Sequence, residues 1–299
     1  MSAVGLPLWR QHAHALWQLS KPRVVALIVF CAVIGMFLAS PGMPDAAVVA
    51  PATLGIALVA GAAAMVNCLV ERGVDVRMRR TAWRATATGK VGAWETLLAA
   101  LAIGGMGLAL LLACCNALTA WLTLGTFVGY AIVYTLLLKP NTPQNIVIGG
   151  ASGAMPPVLG WVAVNGEIGA FALVLFLIIY TWTPPHFWAL ALYRRDDYAR
   201  AGLPMLPVTH GQRYTTLSIV LYSFLLTAVT LLPVALGEAG AIYLGAVLLL
   251  DGRLLFLAVK LHRQYADSLA RRLFAWSIWY LTWLFAALLL DHYYLIPLN

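Results

Sequence analysis

Charge is scarce in this chain. Only 10% of its 299 residues are charged and 62% are hydrophobic, where an ordinary soluble domain carries about 25% charged residues. That shortage excludes a water-soluble enzyme. Cysteine is scarce as well: Cys31, Cys68, Cys114 and Cys115 are the only four, with no CxxC and no Cys/His spacing suited to zinc. A disulfide framework and a structural zinc site are excluded, and the four thiols read as packing residues within spans. Residues 1–20, MSAVGLPLWRQHAHALWQLS, lack both the apolar stretch with a cleavage site of a secretory signal and the Arg/Ser-rich character of a transit peptide. This favours a bacterial inner membrane.

What is present instead is a series of long apolar runs, at about 24–41, 47–70, 94–114, 116–137, 144–164, 168–192, 214–235, 239–259 and 273–291. Each has the length that crosses a bilayer core as a helix, and backbone groups in lipid must be satisfied within the segment. The expected fold is an all-α polytopic membrane protein with nine transmembrane helices, forming one domain over 1–299. The bases then alternate. They precede the first run (Arg10, Lys21, Arg23), fill 71–93, include Lys139, recur at Arg194, Arg195, Arg200 and Arg213, and return in or beside the last such loop (Arg253, Lys260, Arg263, Arg271, Arg272). The intervening loops and the end of the chain have no Lys or Arg but hold Asp45, Glu167, Glu238 and Asp291. By the positive-inside rule the N-terminus is cytoplasmic and the C-terminus periplasmic. The basic balance reflects this topology, with no nucleic acid as partner.

Two acidic clusters lie on the basic side. Asn67, Glu71 and Asp75 recur at i, i+4 and i+8 where the second run ends, and Asp196 and Asp197 follow the sixth run. Positions four apart share a helix face, so an amide and two carboxylates offer oxygen ligands to a hard cation. Mg²⁺ takes one or two carboxylates and completes its shell with substrate phosphates and water. Asn67, Glu71, Asp75, Asp196 and Asp197 are therefore the candidate metal-binding and catalytic set. Arginines surround both clusters, and guanidinium forks suit phosphate oxygens. Arg80 and Arg84, four apart, are expected to face one anion together. Lys21 and Arg23 at the first span, Lys139 and Arg195 complete the candidate diphosphate ligands. The combination points to chemistry on a lipid diphosphate. The recurrence of acidic-basic loops after the second and sixth runs suggests two four-helix units and one extra helix.

Other features carry less. Pro184 and Pro185 are expected to kink or break the sixth span, and His186, flanked by Trp182, Phe187 and Trp188, is placed to line a pocket. Pro156 and Pro157 introduce a second kink after the small-residue run Gly149–Ala154. Tyr130 and Tyr134 share a face and either line a cavity for a cation or pack in the core.

The strings SKPRV (20–24), NCLVERGVDVRMRRT (67–81), NIVIGGASGAMPP (145–157), WTPPHFWALAL (182–192), RRDDY (194–198) and AGLPMLPV (201–208) resemble the UbiA-type intramembrane prenyltransferases, and among them the branch that farnesylates protoheme IX. They cover most of the basic side. The chain departs from that pattern at Ala85, where Pro is expected, at Pro140, where a second base is expected after Lys139, and at Ser152. The resemblance implies Mg²⁺ as cofactor, farnesyl diphosphate and heme B as substrates, the lipid bilayer as setting, and heme A synthase as a partner that consumes the product. It implies that the farnesyl cation is captured by a heme vinyl group, with water added to give heme O. His186 and Trp188 are then candidate heme-binding residues. Two other readings compete: a prenyltransferase for another aromatic acceptor, and a transporter gated by charged loops. A transporter would place charge near mid-membrane.

Overall fold

A computed structural model describes residues 7–294 and Ile296. The expected placement of the two chain ends concerns residues outside that range. Among the described residues every regular element is helical. A short helix α1 (Leu8–Leu19) precedes α2 (Pro22–Leu38), from which it is bent by 49°. There follow α3 (Ala46–Val70), α4 (Ala93–Cys114), α5 (Ala117–Asn141), α6 (Asn145–Asn165), α7 (Ala170–Tyr193), α8 (Gly211–Ala235), α9 (Ala241–Arg263) and α10 (Asp267–Tyr293). The last eight are each long and apolar enough to cross a membrane, and α1 with α2 supplies a ninth span. The nine apolar runs of the sequence correspond to α2–α10.

Helix boundaries follow local chemistry. Asp45 caps α3 by accepting from Ala47 N at 2.8 Å, and Asn116 caps α5 by accepting from Thr119 N at 2.8 Å. Asp291 was expected among the acids of the base-free side, where the last run ends. It is fully buried near the end of α10, where its carboxylate accepts from Gly240 N, Ile242 N (3.0 Å) and Tyr243 N (3.1 Å) at the start of α9. A carboxylate there satisfies donors with no intrahelical partner and meets the positive end of the helix dipole.

The packing divides into a large core and three smaller clusters, the smallest of them Val158, Val162 and Ala172 between α6 and α7. The large one joins α7, α8, α9 and α10 through residues such as Leu175, Ile178, Ile219, Tyr243, Leu254, Tyr280 and Phe285. A second joins α2, α3, α4 and α6 through Ala32, Met36, Ile56, Leu111 and Leu159. The third seats Leu19 of α1 against Ala62, Met65 and Ala100. Glycine sets how closely α2 and α6 approach. A Cβ on Gly160 would stand 1.9 Å from Ala32 O, and one on Gly35 would stand 2.1 Å from Pro157 O. Membrane helices pack on such small residues because lipid gives apolar side chains no drive to associate.

Three expectations need correction. Pro184 and Pro185 do not break α7, which is continuous from Ala170 to Tyr193. Both prolines are buried, and neighbouring helices enforce the path. Thr181 and Thr183 turn their hydroxyls back onto Leu177 O and Ile179 O, each at 2.8 Å. Pro156 does interrupt α6, at Met155. Charge is also not confined to the loops and the ends of the spans. Arg253 lies ten residues inside the end of α9, its guanidinium 4.1 Å from the centre of the Trp276 ring. Asp251, on the same helix, is buried and accepts from Tyr280 Oη and from Thr230 Oγ1 at 2.7 Å. Finally, only Cys31 and Cys68 are buried; Cys114 is exposed at the end of α4, and Cys115 caps that helix half-buried.

Candidate functional site

The first acidic cluster forms where α3 ends. Glu71 caps α3 and a single helical turn, Arg72–Asp75, continues its path. Asp75 N bonds to Glu71 O at 2.8 Å, so the helical spacing of the three side chains survives the break. Asn67, Glu71 and Asp75 are all buried, and each has a basic partner. Lys21 Nζ donates to Asn67 Oδ1 at 2.5 Å, Lys139 Nζ donates to Glu71 Oε1, and Arg84 Nη1 donates to Asp75 Oδ2 at 2.7 Å. Arg84 also stands 3.7 Å from Glu71 Oε2. Two carboxylates and an amide thus meet three cations. Burial alone would raise the Glu71 carboxyl, but Lys139, Lys21 and Arg84 hold it below the ordinary glutamate value.

Helix α5 supplies the facing wall. It is α-helical to Val128, runs as a π-helix over Gly129–Leu138 and closes at Lys139–Asn141. Thr135 Oγ1 bonds to Tyr130 O at 2.8 Å and accepts from Asn67 Nδ2 at 3.1 Å. Thr135 and Lys139 therefore match Asn67 and Glu71 rung for rung. The wider winding brings Tyr134 into electrostatic range of Glu71, Arg80 and Tyr198, and its ring stacks on Tyr130 at 5.7 Å. Gly149 makes room, since a Cβ there would meet the Tyr134 ring at 2.3 Å. π-helical segments recur at functional sites. Thr135 escaped the sequence reading, because its only signal was one hydroxyl among several in an apolar run.

Lys21 is the one described non-glycine residue with positive φ, at 52°. It sits between α1 and α2 and delivers its ammonium to Asn67 from a left-handed backbone. That conformation costs a residue with a side chain about 1–3 kcal/mol. Arg80 and Arg84 do not sit on one helix face, because 76–90 is a succession of turns. Arg84 is buried with the acids, whereas Arg80 is exposed and within electrostatic range of Tyr134 and Tyr193. Arg23 is exposed at the start of α2.

The second cluster separates into two. Asp197 is buried and paired with Arg200 and, at 3.4 Å, with Arg194. Asp196 turns the other way: its side chain is 84% exposed and stands 3.8 Å from Arg195. It borders a shallow pocket with Gln212, Tyr265 and Asp267, none of which belongs to the first cluster. Adjacent residues on a helical turn point about 100° apart, which is why the pair cannot act together. Among the described residues no three Asp, Glu, His or Cys side chains converge closely enough to hold a metal ion.

His186 and Trp188 likewise face different neighbours. His186 is buried against α10, stacked on Trp182 at 4.3 Å and on Phe274 at 4.6 Å, with Nδ1 2.7 Å from Ser277 Oγ. Trp188 is buried against α8, edge-on to Tyr222 at 5.2 Å, and its Nε1 has no hydrogen-bond partner.

The comparisons with known proteins agree with this architecture. The UbiA prenyltransferase family matches residues 28–290. Protoheme IX farnesyltransferase 1 of Chromobacterium violaceum is 96% identical over 299 residues, covering 100% of both chains. Protoheme IX farnesyltransferase of Azoarcus sp. is 63% identical over 284 residues, covering 95% of each. Among solved structures, one concerning digeranylgeranylglyceryl phosphate synthase in membranes superposes with a TM-score of 0.80 at 16% identity, over 95% of this chain and 100% of the other. A UbiA homolog from Archaeoglobus fulgidus bound to GPP and Mg²⁺ gives 0.60 at 16% identity, over 92% and 99%. The two solved structures support the fold, and the family match with the full-length relatives settles kinship: the chain belongs to the UbiA prenyltransferase family.

Proposed function

We propose that the protein transfers a farnesyl group from farnesyl diphosphate to a vinyl group of protoheme IX and adds water, giving heme O. The observation that carries this reading is the full-length, 96% identity to a protoheme IX farnesyltransferase, joined to a buried acid–base site of the kind a diphosphate needs. The rival aromatic acceptors lack comparable support. The transporter reading gains nothing from Asp251, whose oxygens are taken by Tyr280 and Thr230.

The donor set fits Mg²⁺. Asn67, Glu71 and Asp75 present an amide and two carboxylates on one side of the rim, and a hard cation accepts such oxygens together with phosphate. The UbiA homolog solved with GPP carries Mg²⁺. In this chain Asn67, Glu71 and Asp75 would hold the ion, with Asp197 rather than Asp196 on the opposite side; bound there, it would supply charge stabilisation to the leaving diphosphate. Lys21, Lys139 and Arg84, which neutralise the acids in the ligand-free protein, would turn their donors to phosphate oxygens. Arg80, within electrostatic range of Tyr134 and Tyr193, would close over the diphosphate.

The allylic carbon–oxygen bond breaks and its electron pair leaves with the diphosphate. The terminal vinyl carbon of the porphyrin then bonds to the farnesyl carbon. The cation left beside the porphyrin takes a water oxygen, and one proton departs. Preorganised cations are the largest contributor in such sites because they stabilise charge where it develops. His186 would orient the heme, at about 10 Å from the end of α7 by helix rise. Trp188, turned to α8, would contribute through the apolar wall rather than with His186.

By the distribution of bases we infer an inner-membrane protein with this rim in the cytoplasm, in which the whole chain acts as one unit and heme A synthase receives the product. Incubating the purified protein with heme, farnesyl diphosphate and Mg²⁺, then weighing the extracted heme by mass spectrometry, tests the reaction. Unmodified heme, or prenylation of a different acceptor only, overturns it. Cysteines placed at Asp45 and Glu238 should label with an impermeant reagent in intact cells, and cysteines at Arg79 and Arg200 should not; the opposite pattern would invert the topology.

A further inference from the structure

Ser277 occupies an unusual crossing. It lies on the buried face of α10, and two of its atoms make three contacts around His186. Its carbonyl accepts from Trp182 Nε1 at 2.8 Å. Its Oγ donates to Phe274 O at 2.7 Å and meets His186 Nδ1 at 2.7 Å. A serine hydroxyl has one hydrogen and two lone pairs. With the hydrogen given to Phe274 O, the contact to His186 can form only if Nδ1 carries the proton and Ser277 Oγ accepts it. The neutral ring then has its lone pair on Nε2.

The surroundings fix the ring as well as its tautomer. Trp182 and Phe274 both stack on the imidazole, at interplanar angles of 18° and 27°. One face of an imidazole has room for one such ring, so the two occupy opposite faces. Phe187 meets the edge at 5.0 Å. Rotation about the side chain is blocked, and Nε2 has no hydrogen-bond partner among the described residues. The imidazole is thus held in place with one nitrogen lone pair that no described side chain claims. It suits an electron-pair acceptor.

We propose that Ser277 is a positioning residue that holds His186 in the Nδ1–H tautomer, leaving Nε2 to ligate the iron of the protoheme acceptor. This rests on the reading that heme is the acceptor and that His186 faces it. Hydrogen bonding at the far nitrogen orients a metal-bound imidazole and raises its basicity, and losing such a partner costs about 10–100-fold in metal affinity.

Two measurements on full-length protein in nanodiscs separate this claim from the one beneath it. In heme-free protein with ¹⁵N-labelled histidine, the signal removed by H186A should show the proton on Nδ1. A proton on Nε2 overturns the proposal whatever the acceptor is. With ferrous protoheme IX added, wild type should show an iron–imidazole stretching band in resonance Raman spectra, and H186A should lose it. S277A should shift or broaden that band and weaken heme binding about tenfold. S277T, which keeps the hydroxyl, should restore both, and all variants should bind farnesyl diphosphate equally. A wild-type band and affinity in S277A, alongside their loss in H186A, overturns the role of Ser277 alone. A band retained in H186A shows that the iron is held elsewhere and overturns both claims. Should S277A fail to fold, the labelled-histidine spectrum and S277T decide the matter.

Discussion

The two acidic regions look alike in the sequence and differ in how they manage charge. At 67–84 every oxygen-bearing side chain of the cluster is buried and matched: Asn67 with Lys21 and Thr135, Glu71 with Lys139, Asp75 with Arg84. At 194–200 Asp197 is the one buried acid, its arginines are about half exposed, and Asp196 stands in solvent. The difference matters because an ion pair gains strength as water is excluded, while its separated members become more costly. The first region is built before substrate arrives; the second leaves freedom to adjust. Three pairs reaching across distant parts of the chain define the first, whereas sequence-local pairs define the second.

The sharpest way to break the comparison is to neutralise one acid in each region. Asp75→Asn should lower farnesyl transfer by at least about a hundredfold, because it removes a proposed metal ligand, whereas Asp196→Asn should leave turnover close to wild type. Equal losses in the two variants, measured as heme O formed at saturating substrates, would erase the asymmetry.

Stability should follow the same order. Arg84→Met leaves Asp75 buried without its partner, and breaking a buried pair costs about 3 kcal/mol or more. Arg84→Lys should recover part of it. Asp197→Asn should cost about 1 kcal/mol, since Arg194 and Arg200 are well solvated. Chemical unfolding in a mild detergent measures both; a larger loss for Asp197→Asn would reverse the assignment of the preformed half.

A smaller effect concerns acid. Glu71 is held below its ordinary value of 4.5 in the folded protein, so the folded state binds fewer protons than the unfolded one. Its stabilising contribution is complete above 4.5 and is lost as pH falls through the depressed value. Glu71→Gln should therefore flatten the fall in melting temperature on acidification below pH 4.5.

Much of this arrangement was legible from pattern alone. Run lengths gave nine spans, and the i, i+4, i+8 spacing at Asn67, Glu71 and Asp75 marked one face. Spacing fails where the backbone leaves the regular helix. Arg80 and Arg84 share no face because turns separate them, and the match of Thr135 to Asn67 depends on a π-helical stretch that composition does not announce. The adjacency of Asp196 and Asp197 suggested partnership, but residues one apart diverge on a helix. Proline was overweighted, since the buried path of α7 absorbs both residues. Ser277 is the instructive omission: its hydroxyl in FAWSIWYLTW was visible, but its meaning came only from the helix opposite.

The contact between α2 and α6 carries a consequence for how this protein can vary. Gly35 and Gly160 stand where backbones touch, so even a methyl group would strike a carbonyl. Every single-nucleotide change in a glycine codon that puts another amino acid in its place adds at least a Cβ. No small step is therefore open at these two positions, and a replacement would need both helices to separate. Overpacked contacts cost about 1–3 kcal/mol when neighbours can yield; backbone cannot yield as a side chain does. Drift in this lineage is expected to run freely along the lipid-facing surfaces while these two sites stay fixed, and a saturation library scored for folded protein should return glycine alone at Gly160.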